Sequence, residues 1–155
     1  MKSIIFSVCI LISIAHLPVS NVASCLVPQQ PRNFDHFGNI SCEDELARLD
    51  NFSNQLQSNL EAQGYIIMYG GRRGRRNEAK ARAARMKFYL LQIRGLDAKR
   101  IFTLDGGYRE ELSGELWLVQ HGESAPLPTP TVKLKDVKLK GRVKVRGYSC
   151  GEGLG

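Results

Sequence analysis

The chain has 155 residues, a net charge of +7 and a hydrophobic content of 43%. This length suits one domain with a proper core and leaves hardly enough chain for a second. The positive charge is local, because seven of the cations lie after residue 131 against two acidic residues there.

Residues 1–24 are predicted to be a secretory signal peptide. Met1, Lys2 and Ser3 form a short positive start, and residues 4–15 are apolar except for two serines. That run is shorter than the roughly 20 apolar residues that a membrane-spanning helix needs. We therefore expect an exported protein whose mature chain has no transmembrane span.

The residues before Cys25 allow two routes of processing. They read Val-Ala-Ser, which together with Cys25 looks like a bacterial lipobox and predicts a lipid anchor on Cys25. Cleavage by an ordinary signal peptidase, after Ser24 or after Ala23, fits the same residues. Lipidation would leave Cys42 and Cys150 as a pair able to form a disulfide bond in an oxidising compartment. Without lipidation, one of the three thiols is left over. The protein is then either a lipoprotein of the periplasm or outer membrane, or a secreted protein.

Residues 25–32 contain two prolines and are predicted to be an extended tether, with the folded domain from 33 to 120. A first strand is predicted at Phe34–Phe37. The first helix should begin at Ser41, whose side chain can cap it, and end near Gly64. Its apolar face, at helical spacing, consists of Leu46, Leu49, Phe52, Leu56 and Leu60.

A second strand and a second helix follow at once. Tyr65–Tyr69 is a short apolar run bounded by glycines, which is typical of a strand buried on both faces. The second helix is basic, and Gly95 stands where a left-handed cap would end it. The apolar positions of this helix are Ala79, Ala83, Met86, Leu90 and Ile93.

Two more strands are predicted before residue 120. Ile101–Leu104 indicates a short strand and Asp105–Gly107 a turn. Glu111–Val119 alternates and predicts a half-buried strand, with Leu112, Gly114, Leu116 and Leu118 on one face. The order strand-helix-strand-helix-strand-strand predicts an α/β (α+β) fold, a two-layer sandwich with both helices on one face of a mixed sheet.

The last part of the chain differs in composition. Residues 121–131 are rich in proline and predict a semi-rigid linker. Residues 132–155 form a basic tail in which valine and lysine alternate. This tail suits either an amphipathic strand or hairpin held by Cys150, or a flexible basic arm.

The main candidate site is the glycine-rich turn between the second strand and the second helix. A strand, a glycine turn and a helix N-terminus place free backbone N–H groups at one edge of a sheet, where anions are attracted. Arginine side chains suit carboxylate and phosphate oxygens. The predicted ligand-binding residues are Arg72, Arg73, Arg75, Arg76, Asn77 and Arg82.

Residues 34–119 resemble the OmpA-like domain of outer-membrane protein A and of peptidoglycan-associated lipoproteins. The motifs that carry the resemblance are Phe34-Asp35, Ala47–Leu56, Tyr65–Gly70, Arg82-Ala83, Tyr89-Leu90, Gly95–Ile101 and Glu115–Val119. The resemblance implies non-covalent binding of peptidoglycan, with diaminopimelate held by an aspartate after the second strand and an arginine in the second helix. Arg82 stands at the position of that arginine. Gly71-Arg72-Arg73 stands where the family has histidine, threonine and aspartate, so a cation would repel the ligand's ammonium group.

Two functions are predicted. The first is an exported cell-envelope module that binds peptidoglycan or another anionic wall component through the arginines. The alternative is an interaction or adhesion protein that acts through its basic tail, on a degenerate OmpA-like scaffold, by salt-sensitive attraction. We expect neither an enzyme nor a metal site, because His36 and His121 have no evident partner for general-base chemistry and no metal-ligand cluster occurs. No cofactor and no specific nucleic-acid partner are expected either.

Overall fold

The computed structural model of the chain describes residues 31–145. The predicted signal peptide, the lipidation of Cys25 and the role of Cys150 lie outside the described residues. No helix among the described residues has both the length and the apolar composition that a membrane span requires.

Two helices and a four-stranded sheet form the domain. The sheet has the order β1-β4-β2-β3, in which β2 and β3 are parallel and the other neighbours are antiparallel. The predicted order of elements and the mixed α+β sheet are therefore confirmed. The elements are β1 (Arg32–Phe37), α1 (Cys42–Ser58), β2 (Gln63–Gly71), α2 (Glu78–Phe88), β3 (Ile101–Arg109) and β4 (Ser113–Val119).

Both helices pack on one face of the sheet, as predicted. Alternate residues of the two central strands, including Ile66, Met68 and Leu116, share one buried cluster with both helices. The helices contribute the buried side chains Leu49, Phe52, Leu56, Ala83 and Met86, and Leu90 from the turn after α2 joins them. The period of two in the strands and of three or four in the helices thus meets in one core.

The ends of α1 explain one correction. Ser41 caps the helix by accepting a hydrogen bond from the N–H group of Asp44 at 3.1 Å, as predicted. The helix ends at Ser58 rather than near Gly64. Leu60 consequently leaves the helical stripe and is 73% exposed, so its predicted place in the core is wrong.

A π-helical turn, Tyr89–Ile93, extends α2 and explains a second correction. The N–H group of Arg94 donates to the carbonyl of Tyr89, five residues earlier. This wider turn rotates the following side chains, and Ile93 is 63% exposed instead of lying on the apolar face. Gly95 has φ of 68°, the left-handed conformation expected for it.

The π-helical turn after α2 is hydrogen-bonded to α1. The hydroxyl of Tyr89 donates to Asp50 Oδ1 at 2.6 Å. That hydrogen bond raises the pKa of Tyr89 above its ordinary value, because ionisation would remove the donated proton; burial and the charge of Asp50 act in the same direction.

The predicted turn at Asp105–Gly107 is wrong, since these residues lie inside β3. The pairing of β2 with β3 shifts register between Met68 and Gly70, and this irregularity takes up the glycines. A Cβ atom on Gly106 would lie 2.5 Å from the ring of Tyr69, so the strand needs glycine for this close approach.

Residues 121–131, the predicted semi-rigid linker, lie against the helix-free face of the sheet. Pro126 is buried, and the N–H group of Thr129 donates to the hydroxyl of Tyr69 at 3.1 Å. Residues 132–145 continue past the end of β3, where Val132 forms an isolated bridge with Tyr108. One 3₁₀ turn, Leu134–Asp136, interrupts this extended path.

Candidate anion-binding surface

The turn 72–76 and the tail segment 132–145 pair through their backbones. The N–H groups of Lys138 and Lys140 donate to the carbonyls of Arg72 and Gly74 at 2.8 and 2.9 Å. Arg76 donates to Gly141 and accepts from Val143, which completes the pairing. Two basic segments that are distant in sequence therefore form one surface. We call the turn 72–76 together with the segment 132–145 the basic surface.

Apolar side chains anchor the tail segment beneath this surface. Val143 is 7% exposed and packs against Ala81 of α2, with Val145 beside them. Val132 is 8% exposed next to β3. Burial of a valine side chain stabilises by about 1.5–3 kcal/mol, so two such contacts hold the segment at the turn.

The cations of the basic surface outnumber its acidic groups. Eight of them are exposed and form no ion pair within residues 31–145: Arg73, Arg76, Lys133, Lys135, Lys138, Lys140, Arg142 and Lys144. Asp136 is the one acidic residue of either segment. Like charges gathered on one surface repel one another, and an anionic partner would relieve that repulsion.

The other two arginines of the turn bind acidic side chains. Arg72 donates to Glu110 at 3.2 Å and to the carbonyl of Asp136 at 3.4 Å. Arg75 forms an ion pair with Glu78 at 2.9 Å. Among the predicted ligand-binding residues, Arg73 and Arg76 thus present the more accessible charge.

Asn77 stands at the start of α2 with a positive φ of 67°, and its side chain makes no capping hydrogen bond. It is exposed and lies next to Arg76. The structure therefore places Asn77 at the rim of the basic surface, near the exposed arginines.

Arg82 lies elsewhere, between α2 and α1. Its Nε and Nη2 atoms donate to Glu45 Oε2 at 2.9 and 2.7 Å, and its Nη1 atom donates to Asn39 at 2.9 Å. The Arg82 side chain is 5% exposed and that of Glu45 is 1% exposed. Arg85 binds the other oxygen of the same carboxylate. Glu45 therefore takes the position at Arg82 that a ligand's carboxylate would need.

The sequence carries a signal for a buried role of Glu45. Glu45 precedes Leu49, Phe52 and Leu56 at steps of four, three and four, so it lies on the buried stripe of α1. A carboxylate on such a stripe needs a buried partner. Arg82 supplies one from 37 residues along the chain.

A second buried carboxylate lies on the helix-free face of the sheet. Glu115 is 8% exposed and accepts from Arg109 at 2.6 Å, from Trp117 at 3.0 Å and from Tyr69 at 3.2 Å. The guanidinium of Arg109 stands 3.5 Å from the centroid of the Tyr69 ring. Arg109 also donates to the side chain of Thr129, so this cluster attaches residues 121–131 to the sheet.

Cys42 is disulfide-bonded. Its predicted partner, Cys150, lies outside the described residues, so that pairing stays a prediction. Between residues 31 and 145, no group of histidine, cysteine and acidic side chains could hold a metal ion. His36 and His121 are both exposed.

No protein-family model matches the chain, and comparisons with curated proteins and with solved structures find no match either.

Proposed function

We propose that the protein is an exported cell-envelope module that associates non-covalently with an anionic wall polymer through its basic surface. Peptidoglycan is the first candidate for that polymer. The backbone pairing of the turn 72–76 with the segment 132–145 is the observation that carries this proposal. It gathers cations from two parts of the chain onto one surface. The resemblance to the OmpA-like domain supports the location and the class of partner.

The basic surface is a better candidate for ligand binding than the position of Arg82. Glu45 neutralises Arg82 inside the fold, whereas Arg73, Arg76 and the tail cations face solvent. A polymer with carboxylates or phosphates can approach these cations without displacing an internal ion pair. Binding of this kind is electrostatic, so salt should weaken it.

The alternative function, a tail that acts by itself on an inert scaffold, makes a different prediction. Arg76 is paired with Gly141 and Val143 through its backbone, so cations of the turn and the tail are neighbours. If the surface acts as a unit, changes in the turn weaken binding as much as changes in the tail. If the tail acts alone, only changes in the tail matter.

The test is retention of the predicted mature chain, residues 25–155, on purified peptidoglycan sacculi. One variant carries Arg73→Glu and Arg76→Glu, and a second carries Lys138→Glu and Lys140→Glu. An exposed ion pair contributes about 0.2–1 kcal/mol. Two charge reversals should therefore lower the affinity about tenfold in either variant, since a tenfold change corresponds to about 1.4 kcal/mol.

A matched control makes two charge reversals of the same kind at positions outside the basic surface. Arg32 and Lys99 are exposed and make no ion pair with described residues, so Arg32→Glu with Lys99→Glu should bind like the parent. Binding by the parent should also fall steeply between about 0.05 and 0.5 M salt. Equal losses in all three variants, or retention that salt does not change, would contradict the proposal.

A further inference from the structure

A cavity of about 570 Å³ lies beside the basic surface, between α2 and the carboxyl ends of β2 and β3. Its volume falls in the range of about 300–1,000 Å³ that small-molecule sites occupy. Met68 and Gly70 line it from β2, Asp105 and Tyr108 from β3, and Val145 from the tail segment.

The cavity is separate from the cluster of Arg82 and Glu45. Lys80, Ala84 and Lys87 line it, and their steps of four and three place them on one flank of α2. Arg82 binds Glu45 of α1 and does not line the cavity. The small side chains of Ala83 and Ala84 leave the space open on the helix side.

Charges of opposite sign stand on opposing walls of the cavity. Lys80 and Lys87 belong to the helix wall and form no ion pair with any residue between 31 and 145. Asp105 belongs to the strand wall; its Oδ1 atom accepts from the N–H group of Gly107 at 2.9 Å, and it forms no ion pair in the same range. The other acidic lining residue, Glu78, is paired with Arg75. A bound molecule would thus meet a receptor for an anion on one side and a hydrogen-bond acceptor on the other.

Tyr108 adds a flat wall that packing holds in place. A Cβ atom on Gly70 would lie 2.9 Å from Tyr108 Cε1, so the ring rests directly on the backbone of β2. An aromatic face, a carboxylate and lysines together suit a ring-shaped acid with hydroxyl groups. Its C–H groups would contact the tyrosine, its hydroxyl groups would donate to Asp105, and its acid group would bind Lys80 or Lys87.

We propose that this cavity binds a single acidic sugar unit that bears a carboxylate. The proposal rests on the function proposed above, because such a unit is a building block of an anionic wall polymer. The cavity then supplies recognition of the repeating unit, while the basic surface supplies long-range attraction.

The experiment is a titration of the predicted mature chain, residues 25–155, followed by NMR shifts of backbone amides. The probes are N-acetylmuramic acid, glucuronic acid and, as a neutral control, N-acetylglucosamine. Saturable shifts at Lys80, Ala84, Asp105 and Tyr108 are expected with the acids, with affinity at least about tenfold above that for the neutral sugar. Binding of N-acetylmuramic acid alone would identify a wall sugar, and binding of both acids would identify acidic sugars in general.

Two variants test the location of the site. Ala84→Trp should fill the cavity from an exposed position and lower the affinity at least about tenfold, whereas Ala47→Trp, exposed on α1, should leave it unchanged. Asp105→Asn keeps the oxygen that Gly107 binds but removes the charge, and should weaken binding several-fold.

Failure of this inference can be distinguished from failure of the proposed function. Retention on sacculi that Ala84→Trp does not affect, with no saturable sugar shifts, would overturn the cavity's role and leave the basic surface intact. Sugar shifts equal in Ala84→Trp and the parent would also overturn it. Saturable sugar binding in a protein that sacculi do not retain would instead overturn the proposed function.

Discussion

At the scale of single residues, the ion cluster around Glu45 has the clearest energetic consequence. Two arginines from α2 bind the two oxygens of one carboxylate that is 1% exposed. The desolvation of three charges offsets much of their attraction, so such a cluster adds little net stability over an apolar replacement. Removal of one member, however, leaves a buried charge without its partner.

Glu45→Ala should therefore lower the free energy of unfolding by about 3–5 kcal/mol, as measured by urea denaturation. Glu43→Ala is the matched control, because Glu43 lies two residues away on the same helix and is exposed. Similar losses in the two variants would show that the cluster is no more important than a surface charge near the start of α1.

At the scale of elements, β4 determines how the sheet and helices fit together. It pairs with β1 on one side and with β2 on the other. Its inward positions are Gly114, Leu116 and Leu118, and Gly114 makes room for larger neighbours. A Cβ atom there would lie 2.5 Å from the ring of Phe37 and 2.6 Å from the sulfur of Met68.

Gly114→Ala should destabilise the domain by about 1–3 kcal/mol, because overpacking forces these neighbours out of their positions. The measurement is the shift of the urea midpoint at an unchanged slope. Gly38→Ala is the comparison, since a Cβ atom at Gly38 would meet nothing within 4 Å. Equal stability of Gly114→Ala and the parent would mean that the core around Phe37 can yield without cost.

At the scale of the whole molecule, residues after β4 are part of the domain. Residues 121–131 attach to the helix-free face through Tyr69 and Arg109. The segment 132–145 then returns to the turn 72–76 and buries Val143 against Ala81. The tail segment therefore contributes both to a small apolar cluster on α2 and to the basic surface.

Val143→Asn should lower stability by about 1–3 kcal/mol, because it places an amide in an apolar contact. It should also speed hydrogen exchange at the N–H group of Arg76, which donates to Gly141. Lys144→Asn, at an exposed neighbouring position, should leave both measurements near the parent values. Unchanged exchange at Arg76 in Val143→Asn would show that the turn does not depend on the tail.

The order of elements and the inward faces of most of them can be predicted from local sequence patterns. The burial of Leu112, Leu116 and Leu118, the cap at Ser41 and the glycine at residue 95 follow local patterns that agree with the structure. The prediction that β4 is only half-buried is wrong, because Glu115 and Val119 on its other face are 8% and 2% exposed. Local patterns succeed here because periodicity and capping depend on residues within one or two turns. Leu60 and Ile93 are exceptions, because the regular α-helical spacing stops before each of them.

The contacts between groups that are distant in sequence depend on the folded arrangement of the elements. The partner of Arg82 is Glu45, 37 residues away, and the tail reaches the turn 72–76 across more than 60 residues. The register shift between β2 and β3 is likewise a property of strand pairing. It allows residues 105–107 to lie within β3, although the sequence predicts a turn there. Charge and composition were enough to predict the arginines of the candidate site. Which of them are neutralised inside the fold and which face solvent depends on contacts that no local pattern encodes.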